Sequence, residues 1–543
     1  MTHRQTLEAL SGLLVGMFVA ILSGTVVSTS LPRIVHDLKG DQSSFTWVVT
    51  ATLLATTVST PIWGKLADLM SRKLLVELAL GVFVVGSALA GLSQDPGTLI
   101  TFRVVQGLGA GGLTALVQVI MSDIISPRDR GRYMGLLGAV MAIGTAGGPL
   151  LGGLITDSIG WRWNFYVAIP FAVLAIILIQ MTLHLPKRRK KVSIDYAGAV
   201  LIAGGVSLIL IWVTLAGNQF EWGSATSWLM ASGGVLLLLA AVFVELRVKE
   251  PIIPLKMFLN RTFTLVVVAS LSVGVALFGT SVFLSQYMQL SRDKTPTEAG
   301  LLTLPMVFGL LISSTIVGAI ISRTGKWKRY MILGASLLTV GMVLMGTIRY
   351  DTDFGLLFLY MAIVGLGVGM VMQNLVLIVQ NTTDVSQIGA ASASVAFFRS
   401  LGGAVGVAVL GAILGTKVTD VISKGLVGLG IDPSKTGLSG GTLPELKLLP
   451  APIRTLVENA YGQGVGEIFL IASPLALVTL IAIIFLPNIA LGQKTGLQQL
   501  VEKEGEILVD VASDSVAVTP SVDTVSVPAQ RDGDDPTEGS PGR

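Results

Sequence analysis

Fourteen apolar runs of about 20 residues fill most of this chain, and runs of that length are typical of membrane-spanning helices. The first is too long for a cleaved signal peptide, and thirteen more follow it, so we predict that it is retained. The sequence therefore predicts an all-α polytopic membrane protein. The runs lie near residues 9–31, 46–64, 74–93, 98–121, 133–156, 163–184, 196–216, 228–246, 264–289, 299–321, 330–348, 354–379, 391–415 and 466–487.

Composition supports this class and excludes others. Of the 543 residues, 52% are hydrophobic and 13% are charged. A soluble domain carries about 25% charged residues, so a soluble enzyme, a nucleic-acid-binding protein and a secreted module are excluded. The chain has no cysteine, which rules out disulfides, thiolate metal sites and a thiol nucleophile. We expect no metal and no cofactor.

The loop charges predict the orientation. If the N-terminus is inside, twenty Lys and Arg residues fall in short inner segments and six in short outer loops. This bias predicts a multi-pass protein of the plasma (inner) membrane with both termini cytoplasmic. Two further arginines, Arg103 and Arg399, lie inside apolar runs, where a charge is costly and usually functional.

The segment GKLADLMSRK at 64–73 joins the second and third runs. Gly64 permits close helix contact, Asp68 can meet a helix N-terminus or an arginine, and Arg72 and Lys73 favour the inner side. An ordinary charged loop is the alternative. A related pattern follows Gly318 in the second half, which favours an internal repeat and a functional role.

The fourth run contains LITFRVVQGLGAGG at 99–112. Gln106 lies one helical turn from Arg103, so the two form a polar stripe, and satisfaction of Arg103 by helix carbonyls is the alternative. The glycines from Gly107 onward match a dinucleotide-binding spacing. We reject that match because no strand precedes it and the stretch is apolar.

The fifth run carries a glycine stripe with an embedded proline, which would allow a neighbouring helix to approach closely. Ordinary small-residue packing explains single glycines, but the full spacing is rarer. The residues are Gly135, Gly144, Gly148, Pro149, Gly152 and Gly153.

These motifs resemble those of the major facilitator superfamily. The 64–73 segment is similar to its loop 2–3 motif, and the 99–112 segment to its span 4 motif, whose arginine is associated with proton coupling. The predicted proton-coupling or cavity residues are Arg103, Gln106, Gly107 and Arg399. The 135–153 spacing resembles the span 5 motif of drug:proton antiporters. WRWNFYVAIP at 161–170, Asp195-x-x-Gly198 and FFRSLGGAVG at 397–406 resemble the 14-span drug:H+ antiporter branch.

The resemblance implies two six-helix bundles with two inserted helices. The expected parts are 1–190 for the first bundle, 191–261 for the insert, 262–490 for the second bundle and 491–543 for a disordered acidic cytoplasmic tail. The second bundle is expected to carry an external loop at 416–465, in which residues 452–460 are a candidate short helix. It also implies that Asp68 pairs with the start of span 13, and that Asp123 engages Arg72. Breaking these contacts would favour the inward-open state.

One position departs from the family pattern. Ser23 stands where the family's span 1 motif has an aspartate implicated in coupling to protons or cationic drugs. No carboxylate lies deep in any run, so neutral, amphipathic or anionic substrates fit better than cations. Proton coupling would then depend on other groups.

The leading hypothesis is a secondary transporter, not an enzyme, that exports amphipathic small molecules or drugs by proton antiport with alternating access. A dedicated lipid or metabolite exporter or facilitator, with weak or no proton coupling, is the alternative that Ser23 favours. A non-transporting membrane scaffold is the third. The expected partners are the substrate, protons and the lipid bilayer, without nucleic acid, and the expected state is a monomer. The predicted cavity residues are Ser23, Met141, Gln286, Gln289, Gln373, Asn374 and Phe398.

Overall fold

The structure is a computed structural model, and it describes residues 3–38, 42–125, 127–183, 195–216, 220–248, 251–253, 255–384, 387–432 and 449–492. These residues form α-helices and no β-strand. The helices of the first half are α1 (His3–Asp37), α2 (Gln42–Leu69), α3 (Arg72–Gly91), α4 (Pro96–Ile124), α5 (Pro127–Ser158), α6 (Trp163–Tyr166) and α7 (Ala168–Thr182). Two more, α8 (Tyr196–Leu215) and α9 (Ala225–Glu245), precede a short 3-10 helix at Leu255–Leu259. The second half contains α10 (Arg261–Leu290), α11 (Pro296–Leu302), α12 (Leu304–Thr324), α13 (Lys328–Met345), α14 (Phe354–Thr382), α15 (Ile388–Gly428) and α16 (Ala451–Phe485).

Each of the fourteen predicted runs overlaps a helix, so the all-α prediction is confirmed. Among the described residues, twelve helices are long and apolar enough to cross a membrane. The apolar stretch of α8, Ala197–Val213, is shorter, and several side chains in the first part of α2 lie outside the description. The count of fourteen spans therefore stays a prediction.

Local sequence signals set several helix ends. Asp95 caps α4 by accepting a hydrogen bond from the Thr98 amide at 2.9 Å, and Pro96 follows at the first helical position. Hydrogen bonds from Thr98 favour the charged carboxylate and hold the pKa of Asp95 below its ordinary value. Gly325 ends α12 with a φ of 68°, a left-handed conformation that suits glycine.

The two halves repeat one packing scheme in which a glycine-rich helix lies between two neighbours. In the first half α4 packs between α2 and α3, and in the second α14 packs between α12 and α13. A Cβ at Gly107 would meet the Thr52 carbonyl on α2, and one at Gly109 would meet the backbone of α3. The glycines Gly365 and Gly367 stand in the same way against α12 and α13. The glycines of this Gly-x-Gly spacing thus allow close helix packing in both halves.

The helices α8 and α9 pack on each other, and α8 also contacts α2 and α15. A hydrophobic cluster joins Val206 of α8, Val58 of α2 and Phe397 of α15. Ile252 and Ile253, which follow α9, belong to the same cluster. The insert therefore lies along the line where α2 of the first half meets α15 of the second.

Both ends of the segment 416–465, predicted as a loop, are helical. Helix α15 continues to Gly428, and α16 begins at Ala451. Val418, Ile422 and Leu426 recur every four residues and are buried in the same hydrophobic core as Val457 of α16. The loop prediction was wrong for residues 416–428, which continue α15, whereas the short helix suggested at 452–460 is the first part of α16. Residues 433–448 and the predicted tail beyond 492 lie outside the described residues.

Candidate functional site

A buried polar network surrounds Arg103 in the first half. Arg103 Nη1 donates to Gln106 Oε1 at 2.7 Å, and its Nε donates to the Val48 carbonyl of α2 at 3.3 Å. Gln106 Nε2 donates in turn to Ser23 Oγ at 2.9 Å and to Ser87 Oγ at 2.7 Å. The network therefore joins α1, α2, α3 and α4. Sequence reasoning missed Ser87, which lies in an apolar run without a motif around it.

The partners of Arg103 are all neutral. No described acid forms an ion pair with its guanidinium, and Ser23 supplies a hydroxyl at the end of the network. A hydroxyl neither carries a charge nor titrates near neutral pH, so Ser23 does not compensate Arg103. The network can hold Arg103 in place, but it leaves a net positive charge in the first half.

The two halves pack on each other through α5 with α12 and α2 with α15, and polar side chains join them at further points. Gln373 of α14 places Nε2 3.2 Å from Met141 Sδ of α5, so these two predicted cavity residues do meet. Gln380 of α14 donates to the Gln118 carbonyl of α4 at 3.2 Å and to Ser392 Oγ of α15 at 2.7 Å. We call these contacts, with those of Gly64 below, the seam. The acceptor oxygens of Gln373 and Asn374 are buried and have no hydrogen-bond partner in the described structure.

Gly64 is the point of closest approach in the seam. A Cβ there would collide with Ala393 of α15 and would lie 3.0 Å from the Gly389 carbonyl. Gly64 thus allows α2 and α15 to meet, as its place in the motif predicts. The side chain of Asp68, one turn further on, lies outside the described residues, and so does its predicted pairing with span 13.

Arg72 and Asp123 form a buried ion pair that links the start of α3 to the end of α4. Arg72 Nε also donates to the Ala67 carbonyl at 3.0 Å. Lys73 Nζ donates to the Gln180 carbonyl of α7 at 3.0 Å. These partners of Arg72 and Lys73 belong to the first half, so these two residues stabilise that half internally, whereas Gly64 lies in the seam.

The glycine stripe of α5 packs on α1. A Cβ at Gly148 would collide with the Thr25 side chain, and one at Gly152 would lie 2.6 Å from the Val26 carbonyl. Thr25 Oγ1 donates a hydrogen bond to the Gly144 carbonyl at 3.1 Å, which adds a polar interaction between α1 and α5. The remaining motif positions, Gly135, Pro149 and Gly153, lie within α5. The side chain of Pro149 lies outside the described residues.

Arg399 lies in α15 and is buried, with its Nη1 lacking any hydrogen-bond partner among the described residues. Phe398, predicted in the cavity, instead packs edge-to-face with Phe258 at 5.9 Å and with Phe397 at 5.1 Å, beside α8. Gln286 and Gln289 lie towards the C-terminal end of α10, where Gln289 donates to Ser285 of its own helix. The structure does not bring these three to Gln373.

Two buried carboxylates meet where α8 begins and α9 ends. Glu245 accepts hydrogen bonds from the Ile252 and Ile253 amides at 3.2 and 3.3 Å. Asp195 caps α8 by accepting from the Gly198 amide at 2.8 Å, and a Cβ on Gly198 would strike both carboxylates. This collision is the physical reason for the Asp-x-x-Gly pattern. The sequence showed the pattern but not the proximity of Glu245.

The described residues contain no group of three or more His, Cys, Asp or Glu side chains that could hold a metal ion. The described residues thus contain a glycine-packed repeat, a seam with unpaired polar groups, and two buried arginines.

The comparisons with known proteins agree with this architecture. A family model described as Major Facilitator Superfamily matches residues 13–407. An uncharacterized MFS-type transporter of Mycobacterium tuberculosis (strain CDC 1551 / Oshkosh) is 35% identical over 485 residues, 89% of this chain and 69% of that protein. The multidrug transporter protein MdtP of Bacillus subtilis (strain 168) is 33% identical over 418 residues, 77% of each chain. The crystal structure of the human organic anion transporter MFSD10 (TETRAN) aligns with a TM-score of 0.59 at 14% identity, covers 88% of this chain and 99% of that one, and shows likeness of fold alone.

Proposed function

The chain belongs to the major facilitator superfamily of membrane transporters, and from that premise we propose that it exports amphipathic small molecules, drugs included, across the plasma membrane by proton antiport. The similarity to a multidrug transporter supports the substrate class. The span 4 and span 5 motifs, whose packing is described above, support antiport, because the resemblance associates them with proton coupling and with antiporters.

The seam is the observation that carries the proposal. Gln373 with Met141, and Gln380 with Gln118, join the halves by single hydrogen bonds or polar contacts. Each such contact is worth only about 0.5–1.5 kcal/mol, so these polar contacts can break when substrate binds, although α5 also packs on α12 and α2 on α15. In alternating access, this seam would open to one side of the membrane while the other side closes.

The absence of cysteine makes the seam directly testable. We would introduce cysteines in the pair Met141→Cys and Gln373→Cys and cross-link them with a short bifunctional reagent. Efflux from proteoliposomes should stop on cross-linking and return on reduction of a cleavable linker. Each single-cysteine variant, treated with the same reagent, is the control. Unchanged efflux after complete cross-linking would refute alternating access at this seam.

Proton coupling needs its own experiment. Efflux of an amphipathic dye should accelerate when a pH gradient is imposed, and Arg103→Ala should lose that acceleration. If the imposed pH gradient does not change the efflux rate, the second candidate is favoured: a dedicated exporter or facilitator of a lipid or metabolite. Ser23 favours this second candidate, because a buried hydroxyl replaces the family's titratable group.

A further inference from the structure

The buried charges of the described chain do not balance locally. Arg72 pairs with Asp123, and Lys65 lies close enough to Glu245 for their charges to interact. The three buried acids stand at helix ends, whereas Arg103 and Arg399 stand within helices and form no ion pair with a described acid. The buried charged residues are Lys65, Arg72, Arg103, Asp123, Asp195, Glu245 and Arg399.

The two arginines differ in how they are satisfied. Arg103 donates to an amide oxygen and a backbone carbonyl. Arg399 is 5% exposed, and its Nη1 has no acceptor in the described structure. A buried guanidinium keeps its charge, so an unpaired donor there is costly unless a ligand supplies the anion.

A second unpaired polar group lies on the facing helix. Arg399 shares a helix face with Gly402 and Gly403, which pack against Leu271 and Phe278 of α10. Ser270 lies one turn before Gly274, whose missing Cβ faces the Arg399 carbonyl, so it belongs to the α10 face that meets α15. Ser270 is 1% exposed, and its Oγ also has no hydrogen-bond partner among the described residues.

A guanidinium and a hydroxyl without acceptors are complementary to a carboxylate, sulfonate or phosphate. Arg103 adds positive potential within the membrane and binds no compensating acid. From these observations we infer that Arg399, with Ser270 as a second donor, binds the anionic headgroup of the transported amphiphile. This inference rests on the proposed export function and names its substrate class: amphiphiles with one acidic group.

The test uses three probes that share one apolar body: pyrenebutyrate (anionic), pyrenebutanol (neutral) and pyrenebutylamine (cationic). Binding to the purified full-length protein in nanodiscs is followed by fluorescence anisotropy. Wild type should bind pyrenebutyrate at least about tenfold tighter than pyrenebutanol, because a charge-assisted hydrogen bond in a buried site is worth that factor. Arg399→Gln should remove this preference. Arg399→Lys should keep part of it, and Ser270→Ala should weaken pyrenebutyrate roughly two- to fivefold.

Arg261→Gln, an exposed arginine on α10, is the matched control for loss of one positive charge and should keep the preference. A preference retained in Arg399→Gln would overturn the inference, and so would wild-type affinity no higher for the anion than for the alcohol. The wild-type comparison and Ser270→Ala decide the matter even if Arg399→Gln fails to fold. If export of the same probes is measured, transport of pyrenebutanol or pyrenebutylamine without a preference for the anion would refute this inference but not the proposed function. If none of the three probes is exported, the proposed function is refuted as well.

Discussion

The ion pair between Arg72 and Asp123 makes a sharp prediction about stability and gating. The side chains of both residues are nearly inaccessible, 4% and 6% exposed. Removing one partner of a buried pair strands the other charge and costs about 3–5 kcal/mol, whereas replacing both with apolar residues is often neutral or stabilising. Asp123→Leu and Arg72→Met should therefore each lower the Tm on the order of 6–10 °C, and the double variant should recover most of that loss.

The assay is thermal unfolding of the detergent-solubilised protein, followed by the fluorescence of its eight tryptophans. Dye efflux is measured on the same three variants. Because both residues belong to the first half, the stable double variant should also regain transport. The reasoning is refuted if single variants keep the wild-type Tm, or if the two single losses simply add. A stable but inactive double variant would show that the charges act in gating, as the family resemblance implies.

Three further predictions follow from individual contacts. Gly148→Ala should destabilise the protein by about 1–3 kcal/mol, because its Cβ would strike Thr25. The control Gly147→Ala, whose Cβ would meet only Leu22 at 3.7 Å, should keep the wild-type Tm. Equal Tm values for the two variants would disprove the close α1–α5 interface. Glu245→Ala should lower the free energy of unfolding by about 1–3 kcal/mol and speed proteolysis between residues 246 and 260, because two buried amides lose their acceptor. The exposed control Glu221→Ala should have neither effect. Identical digestion rates would show that Glu245 does not hold this segment in place. Gln106→Leu should abolish gradient-driven efflux and lower the Tm, because it removes the acceptor for Arg103. The control Gln106→Glu keeps an acceptor and should stay folded. Normal efflux in Gln106→Leu would show that the network is dispensable.

Much of the fold could be predicted from hydropathy, because a helix is the local solution for an apolar run in lipid and needs no knowledge of its neighbours. The pairing of Arg72 with Asp123 was also anticipated, as an implication of the family resemblance. The helical extension of α15 was missed, although the apolar period from Val418 to Leu426 was visible in the sequence.

What only the tertiary structure decided is which faces meet. Phe398 was expected in the cavity, yet it packs against Phe258 of the 3-10 helix. Arg399, the next residue, shares a helix face with glycines that pack on α10. Asp195 and Glu245 are fifty residues apart in the chain, and only the packing of α8 on α9 brings them together. The apolar runs specify helices because hydrogen bonding along a helix is local. The burial and partners of Arg399 depend on contacts between helices distant in the chain, and no residue pattern along one helix records them.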